Sequence, residues 1–322
     1  MADKYTEPNR VQRVCILGAG TIGASWAAFF LGRGFEVAIY DPSPLRQSAV
    51  AAYLANSWPT IQQLSGKRLA DPNAWTFSTD LGAAVRDVQF VQESAPEELH
   101  LKRTLFAALE RLVAADVVIA SSTSSLVMSE LQTGLHTPQR FVVAHPFNPP
   151  HLMPLVEVVG GSLTDSAVCG WCRRFFELQG KEVLVLRKEV PGHLVNRLQA
   201  ALFQEAAWLV REGIASTSDV DRGIAFGPAL RWALMGTFLT FHLGAETGIA
   251  GYLESLGSAH LRMWQGLGRV EAWTPDLVRS IADQMTEEVH NRPGSDLARQ
   301  RDQALVGLLE FLAKPRHRLI SK

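Results

Sequence analysis

Val14-Cys-Ile-Leu-Gly18-Ala-Gly20-Thr-Ile-Gly23 decides how this chain folds. A short apolar run enters a turn with three glycines, and the stretch from Ala24 to Arg33 has the composition of a helix. The first glycine permits a tight turn, the second lets a pyrophosphate approach the backbone, and the third lets helix and strand pack closely. The amides of Thr21, Ile22 and their neighbours then open a helix whose dipole favours phosphate. Asp41 ends the next strand-like run, Glu36-Val-Ala-Ile-Tyr-Asp41. A carboxylate there accepts hydrogen bonds from adenosine ribose and repels a 2′-phosphate, which favours NAD over NADP. Arg46 is the nearby cation that keeps NADP in view.

Further apolar runs follow at Val88–Glu93, Val117–Ser122, Arg140–His145, Leu155–Val159 and Glu182–Leu186. Helical stretches separate several of them, at Pro44–Leu69, Leu99–Leu112 and Ser166–Leu178. Seven continuous Val/Ile/Leu-rich strands alternating with helices predict a mostly parallel α/β sheet covered on both faces. After Arg187 the pattern changes. Leu194, Leu198, Leu202, Ala206 and Leu209 recur at helical spacing, Gly213 stops that helix, and helices continue to Phe311. The predicted organisation is an α/β domain over 1–189 and an all-α domain over 190–322.

Composition narrows the function classes. The chain has 322 residues, 47% hydrophobic and 20% charged, with a net charge of −1. That balance is globular and lacks the basic excess of a nucleic-acid binder. Lys314, Arg316 and Arg318 read as a solvated tail. Three cysteines build no disulfide framework. Cys169-Gly-Trp-Cys172 looks like a redox motif, but its flanks read as an amphipathic helix. A zinc site would need further ligands at plausible spacing, so no metal is expected. No apolar run approaches the length of a membrane span, and Met1–Arg13 has no apolar leader segment, so a cytoplasmic protein is expected.

Chemistry-bearing residues fall where the strands end. Ser121-Ser-Thr-Ser124-Ser follows the fourth strand, and His145-Pro-Phe-Asn-Pro follows the fifth. Ligands of an open α/β sheet bind outside the carboxyl ends of its strands. Hydride transfer from an alcohol needs a base for the hydroxyl proton, and a neutral histidine is suited to it. A carboxylate on the other ring nitrogen would fix the tautomer and steady the imidazolium. Glu157 sits in an apolar strand, where an unpaired carboxylate is costly, and His145 is its expected partner. Each residue taken alone also has a structural reading, as a core histidine, a helix cap or a surface amide.

Together the strings resemble the 3-hydroxyacyl-CoA dehydrogenase family, and within it the branch of lambda-crystallin and L-gulonate 3-dehydrogenase. They are Gly18–Gly23, Ser121–Ser125, Ala144-His-Pro-Phe-Asn-Pro-Pro, Pro154-Leu-Val-Glu-Val-Val and Val190-Pro-Gly-His-Leu-Val-Asn196-Arg, and they span nearly the whole chain. The resemblance implies a Rossmann-type NAD domain followed by a helical domain that forms a homodimer. It implies His145 as general base, Glu157 as its partner, and Ser124 and Asn196 around the reacting oxygen. Glu93 and Lys102 would line the nicotinamide side of the cleft.

The departures concern substrate. The acyl-CoA enzymes carry a lysine-rich hairpin after the second strand; here Ser57–Phe77 offers only Lys67 and Arg68 as cations. Gly227-Pro-Ala-Leu-Arg231-Trp232 replaces their shorter motif. A guanidinium holds a carboxylate by paired hydrogen bonds, so Arg231 is the expected anchor for a free 3-hydroxy acid. The Pro191–Arg197 string and His242 tilt the expectation toward an L-gulonate-like acid. L-Carnitine and 3-hydroxybutyryl-CoA are the alternatives. Trp232, Phe238, Phe241, Tyr252 and Glu246 are available for carnitine's trimethylammonium. A crystallin-like structural role and an NAD-sensing module are the non-enzyme readings.

Overall fold

The computed structural model of the chain describes residues 4–65, 71–314 and 319. Two compact units divide it, 1–197 and 198–322. The first is built on eight strands: β1 Arg13–Leu17, β2 Glu36–Tyr40, β3 Trp75–Ser78, β4 Phe90–Glu93, β5 Val118–Ser121, β6 Phe141–Pro146, β7 Leu155–Gly160 and β8 Glu182–Val185. They form one sheet in the order β3-β2-β1-β4-β5-β6-β7-β8. The first six run parallel, β7 pairs antiparallel with β6, and β8 pairs parallel with β7. The order 3-2-1-4-5-6 is that of a doubly wound dinucleotide-binding sheet, with its crevice where the order reverses, between β1 and β4.

Six helices cover this sheet: α1 Thr21–Gly32, α2 Arg46–Ser65, α3 Leu81–Ala84, α4 Leu99–Leu112, α5 Met128–Leu131 and α6 Ser166–Leu178. Alternate residues of the central strands feed two cores. Val14, Ile16, Val37 and Phe90 pack with Trp26, Phe30, Phe175 and Phe176 on one face. Cys15, Leu17, Val91 and Ile119 pack with Phe106, Leu109 and Phe141 on the other. Both faces are dry, which is why these strands read as unbroken apolar runs.

Two differences from the sequence reading are informative. Trp75-Thr-Phe-Ser78 is an eighth strand, at the sheet edge and never fully buried, so it has no apolar run to announce it. The expected helix Pro44–Leu69 is observed as Arg46–Ser65; Lys67 and Arg68 lie outside the described residues, as do Arg316 and Arg318. The two compact units part at 197/198. Residues 193–196 are hydrogen-bonded to Thr123, Ser124 and Glu157 of the sheet unit, which holds them there although helix geometry has begun.

Cys169 and Cys172 lie within α6, whose first turn is capped by Asp165. Burial raises both thiols, and Cys172 is wholly inside the core, so neither is poised as a thiolate. Among the described residues no group of three or more His, Cys, Asp or Glu could hold a metal. No described helix is long and apolar enough to cross a membrane.

The second unit is helical: α7 Val195–Arg211, which begins three residues before the break, then α8 Thr217–Phe226, α9 Pro228–Trp232, α10 Thr237–His242, α11 Gly248–Gln265, α12 Pro275–Glu288 and α13 Gly294–Leu312. Ser216 and Asp219 form a full capping box on α8. Gly268 lies flat against the Trp208 ring, where any Cβ would overlap the indole at 1.9 Å. Few of its side chains are buried: Ala207, Val210, Leu277 and Val306 are the hydrophobic ones among the described residues. Phe203, Phe226, Leu230, Trp264 and Trp273 are each more than half exposed. An apolar groove of about 730 Å³ runs between α7, α8 and α12, past Phe203, Ala206, Val220, Ile224, Ile281 and Met285.

Candidate active site

The glycine turn has the geometry its sequence requires. Gly18 is left-handed at φ +94°, and a Cβ there would meet the Ser94 carbonyl at 2.6 Å. A Cβ on Gly23 would meet the Gly18 carbonyl at 1.8 Å. Gly20 differs: its backbone is extended, and a Cβ would meet nothing within 4 Å. Gly20 therefore leaves an open cradle at the start of α1, where no side chain caps the first amides. A pyrophosphate fits that cradle and those donors. Asp41 stands beside the turn; its Oδ2 accepts from the Ala19 amide at 2.9 Å and its Oδ1 from Ser43 at 3.0 Å. Each carboxylate oxygen keeps a second lone pair for a ribose hydroxyl.

His145 and Glu157 are directly paired residues of β6 and β7. His145 Nδ1 lies 2.9 Å from Glu157 Oε2. A carboxylate only accepts, so Nδ1 carries the hydrogen and the neutral ring has its lone pair on Nε2. Oε1 of Glu157 accepts the amides of Leu194 and Val195, each at 3.0 Å. Burial alone would push the Glu157 carboxyl up, but the hydrogen bonds from His145, Val195 and Leu194 outweigh it and hold it below its ordinary range. The His145 ring is thus braced by a carboxylate that it shares with the first amides of α7.

Ser124 and Asn196 meet as well: Asn196 Nδ2 donates to the Ser124 carbonyl at 3.2 Å. Glu93 and Lys102 lie beneath the strand ends, at most 1% exposed. Lys102 Nζ donates to Glu93 Oε1 at 2.6 Å, and Ser121 Oγ donates to Oε2 at 2.5 Å. The Ser121–Glu93 bond ties the end of β4 to the end of β5. Arg231 is exposed near the end of α9 in the helical unit.

Two residues of the site were not singled out in the sequence. Glu97 is the larger omission. Its Oε1 accepts from the Ser124 and Ser125 amides at 2.8 and 2.9 Å and from the Thr123 hydroxyl at 2.7 Å. Burial opposes its charge, but these bonds and the Lys102 ammonium 3.6 Å from Oε2 pull its carboxyl down to about 2. The signal was position: Glu97 follows β4 by four residues, at the same strand ends that pointed to Ser124 and His145. The second is His193, buried with its ring centroid 5.2 Å from that of His145.

Residues 13–190 match the NAD-binding domain of 3-hydroxyacyl-CoA dehydrogenase, and residues 192–271 match its C-terminal domain. An L-carnitine dehydrogenase of Streptomyces coelicolor is 44% identical over 94% of this chain and 96% of its own length. One from a Pseudomonas species is 38% identical over 95% and 96%. Among solved structures, a 3-hydroxyacyl-CoA dehydrogenase of Archaeoglobus fulgidus superposes with a TM-score of 0.63 at 26% identity, covering 94% of this chain and 99% of its own. The NAD⁺-dependent 5-formyl-3-hydroxy-2-methylpyridine 4-carboxylic acid 5-dehydrogenase shares the fold with a TM-score of 0.81 at 24% identity, over 94% and 98%. With its nucleotide turn, its paired imidazole and carboxylate and both family domains in order, the chain belongs to the 3-hydroxyacyl-CoA dehydrogenase family and is an NAD-dependent hydroxy acid dehydrogenase.

Proposed function

We propose that the protein oxidises the 3-hydroxyl of a small free 3-hydroxy acid, with L-carnitine as the substrate. One observation carries the choice: relatives 36–44% identical over at least 93% of this chain are L-carnitine dehydrogenases. This replaces the expectation of an L-gulonate-like acid; the Pro191–Arg197 string and His242 that suggested it say little about substrate charge. The helical unit offers suitable chemistry for a zwitterion. Arg231 presents an exposed guanidinium. Phe241, Tyr252 and His260 form a ring cluster on α10 and α11, with centroids 5.1–5.6 Å apart, of the kind that attracts quaternary ammonium.

Bound NAD⁺ supplies the hydride acceptor. Gly20 and the first amides of α1 would hold the pyrophosphate, and Asp41 would hold the ribose. His145 takes the hydroxyl proton on Nε2 while Glu157 steadies the imidazolium from Nδ1. Ser124 Oγ–H makes the longest of the bonds crowded on Glu97 Oε1, at 3.2 Å, and is the donor that turns to the substrate oxygen. The second hydrogen of Asn196 Nδ2 remains a donor for the same oxygen as it becomes a carbonyl. Glu93 and Lys102 keep the loop beneath in place.

The helical unit assembles with a second copy of itself. Its few buried side chains and many exposed aromatic and aliphatic ones leave apolar surface for a second copy to cover. A second copy is the partner always present when the chain folds, and the α7/α8/α12 groove is the place to dock it. A monomer by light scattering would overturn the assembly.

The test of activity is turnover with NAD⁺ on L-carnitine, L-gulonate, 3-hydroxybutyrate and 3-hydroxybutyryl-CoA. L-Carnitine should lead in kcat/KM by about tenfold or more. A lead for gulonate or the thioester would replace the reading, and NAD binding without turnover on any of them would point to a sensor or structural protein.

A further inference from the structure

His193 is an expensive residue. It has a left-handed backbone, φ +51°, directly after the left-handed Gly192. Such a conformation is unfavourable for a residue with a Cβ and persists only where its surroundings enforce it. Its side chain is 1% exposed. Nε2 lies 2.9 Å from the Thr123 carbonyl, an oxygen that only accepts, so Nε2 must carry the hydrogen. Nδ1 is then a bare acceptor, and it is buried with no hydrogen-bond partner among the described residues. Strain, desolvation and an unpaired acceptor coincide on one side chain beside the catalytic imidazole.

What the residue does can be traced through its bonds. The Ser121–Ser125 loop is held on its N–H side by Glu97, through the Ser124 and Ser125 amides. On its carbonyl side it is held by the segment leading into α7: His193 takes the Thr123 carbonyl and Asn196 takes that of Ser124. Glu157 binds the same segment at Leu194 and Val195, and His145 through its other oxygen. His193 closes the circuit from the base, through its carboxylate, to the serine loop.

We propose that His193 is a positioning residue of the catalytic centre, an Nε2–H imidazole that sets Ser124 against His145 by holding the Thr123 carbonyl. The proposal rests on the reading of His145 as the base. The groups facing the ring are consistent with a neutral state. They are the His145 ring on β6, Glu157 on β7, Glu97 after β4 and the Thr123 carbonyl after β5. Burial, first, and the neighbouring His145 lower the affinity of His193 for a second proton, outweighing the Thr123 carbonyl and the two more distant carboxylates. A proton on His193 would oppose the one that His145 must accept.

Two measurements decide it. Long-range ¹H–¹⁵N spectra of the whole protein should show His193 as the neutral Nε2–H tautomer at pH 7; an Nδ1–H or doubly protonated ring overturns the proposal whatever the substrate. Kinetics with L-carnitine and NAD⁺ supply the second arm. His193→Phe keeps volume but removes the donor, and kcat should fall about tenfold or more while the NADH Kd stays within about twofold. His193→Gln carries an N–H at the place of Nε2 and should restore most of that loss. His193→Asn tolerates the left-handed backbone but is too short to reach Thr123, so it should behave like the Phe variant and decides the matter if that variant does not fold. Equal kcat in the Phe, Asn and wild-type proteins refutes the positioning role. His145→Gln run alongside separates the two readings: if it is inactive while His193→Phe is unimpaired, only the His193 proposal fails; if it retains turnover, the base assignment fails.

Discussion

His145 and Glu157 face each other across an antiparallel junction of the sheet, between β6 and β7, in direct register. In such a pair the opposed side chains lie on the same face and within reach of each other. A slip of one residue would turn Glu157 to the opposite face, so the register of two strands fixes its contact with His145. The reversal of β7 therefore has a chemical consequence: it brings two residues only twelve positions apart into hydrogen-bond contact at the strand ends.

From that contact follows the first expectation. His145→Gln should lower kcat by about 10²–10⁴, the worth of a positioned base, with NADH affinity unchanged. Glu157→Gln should lower it less, by about 10–10², because the ring loses charge support but keeps a neighbour. Glutamine cannot accept at both ends, so either the His145 Nδ1–H or the Leu194 and Val195 amides meet a donor. A loss of about 1–3 kcal/mol in denaturant-unfolding stability should accompany the slower turnover.

Gly20 and Gly23 separate ligand from fold. Gly20→Val places methyls in the cradle at the start of α1 where the protein itself offers no contact. Its Tm should stay close to wild type while the NADH Kd rises at least about tenfold, one backbone–phosphate approach being lost. Gly23→Ala forces a Cβ into the Gly18 carbonyl and should lower Tm outright. A Gly20→Val variant with wild-type NADH affinity would exclude that cradle as the pyrophosphate site.

The fold was legible because its strands are buried on both faces, and seven of eight announced themselves as apolar runs. Trp75–Ser78 did not, since an edge strand with one wet side lacks that signature. At the site, His145, Glu157, Ser124 and Asn196 could be chosen because acid, base and amide types fell at strand ends or opened a helix. Glu97 and Glu93 are both acidic residues near the end of β4, and the family resemblance pointed to Glu93. The structure shows how they differ: Glu93 is buried and bound to Lys102 and the Ser121 hydroxyl, whereas Glu97 takes the Ser124 and Ser125 amides. That is a difference of side-chain direction, which spacing does not encode.

The serine loop gives a prediction in pH. Glu97 is held at about 2 in the folded protein, below its ordinary 4.5. A depressed carboxyl stabilises the fold above its unfolded value and loses that contribution as pH falls through the folded one. The Glu157 carboxyl is shifted in the same direction. Wild type should therefore exceed Glu97→Gln in unfolding free energy by a constant amount above about pH 5, about 1–2 kcal/mol after allowing for its partial exposure to solvent. The gap should shrink between about pH 4.5 and 2. Urea titrations at a series of pH values measure it, and a pH-independent gap would mean that the Glu97 charge contributes nothing.

Arg231 carries the claim that the substrate is a free acid. A bidentate guanidinium–carboxylate contact contributes about 1.5–3 kcal/mol, so its loss should appear as a rise in KM of about 10–150-fold. Arg231→Met removes the fork and keeps the apolar stem; Arg231→Lys keeps the charge but presents one ammonium. The Met variant should raise KM for L-carnitine by the full factor and the Lys variant by a fraction of it, with kcat nearly unchanged in both, since the carboxylate is bound alike before and during hydride transfer. L-Carnitine methyl ester supplies the control. It lacks the anion, so wild type should bind it as poorly as the Met variant binds carnitine, and the substitution should then make little further difference. If Arg231→Met leaves KM for carnitine unaltered, the carboxylate is held elsewhere, and the His145–Glu157 chemistry stands without it.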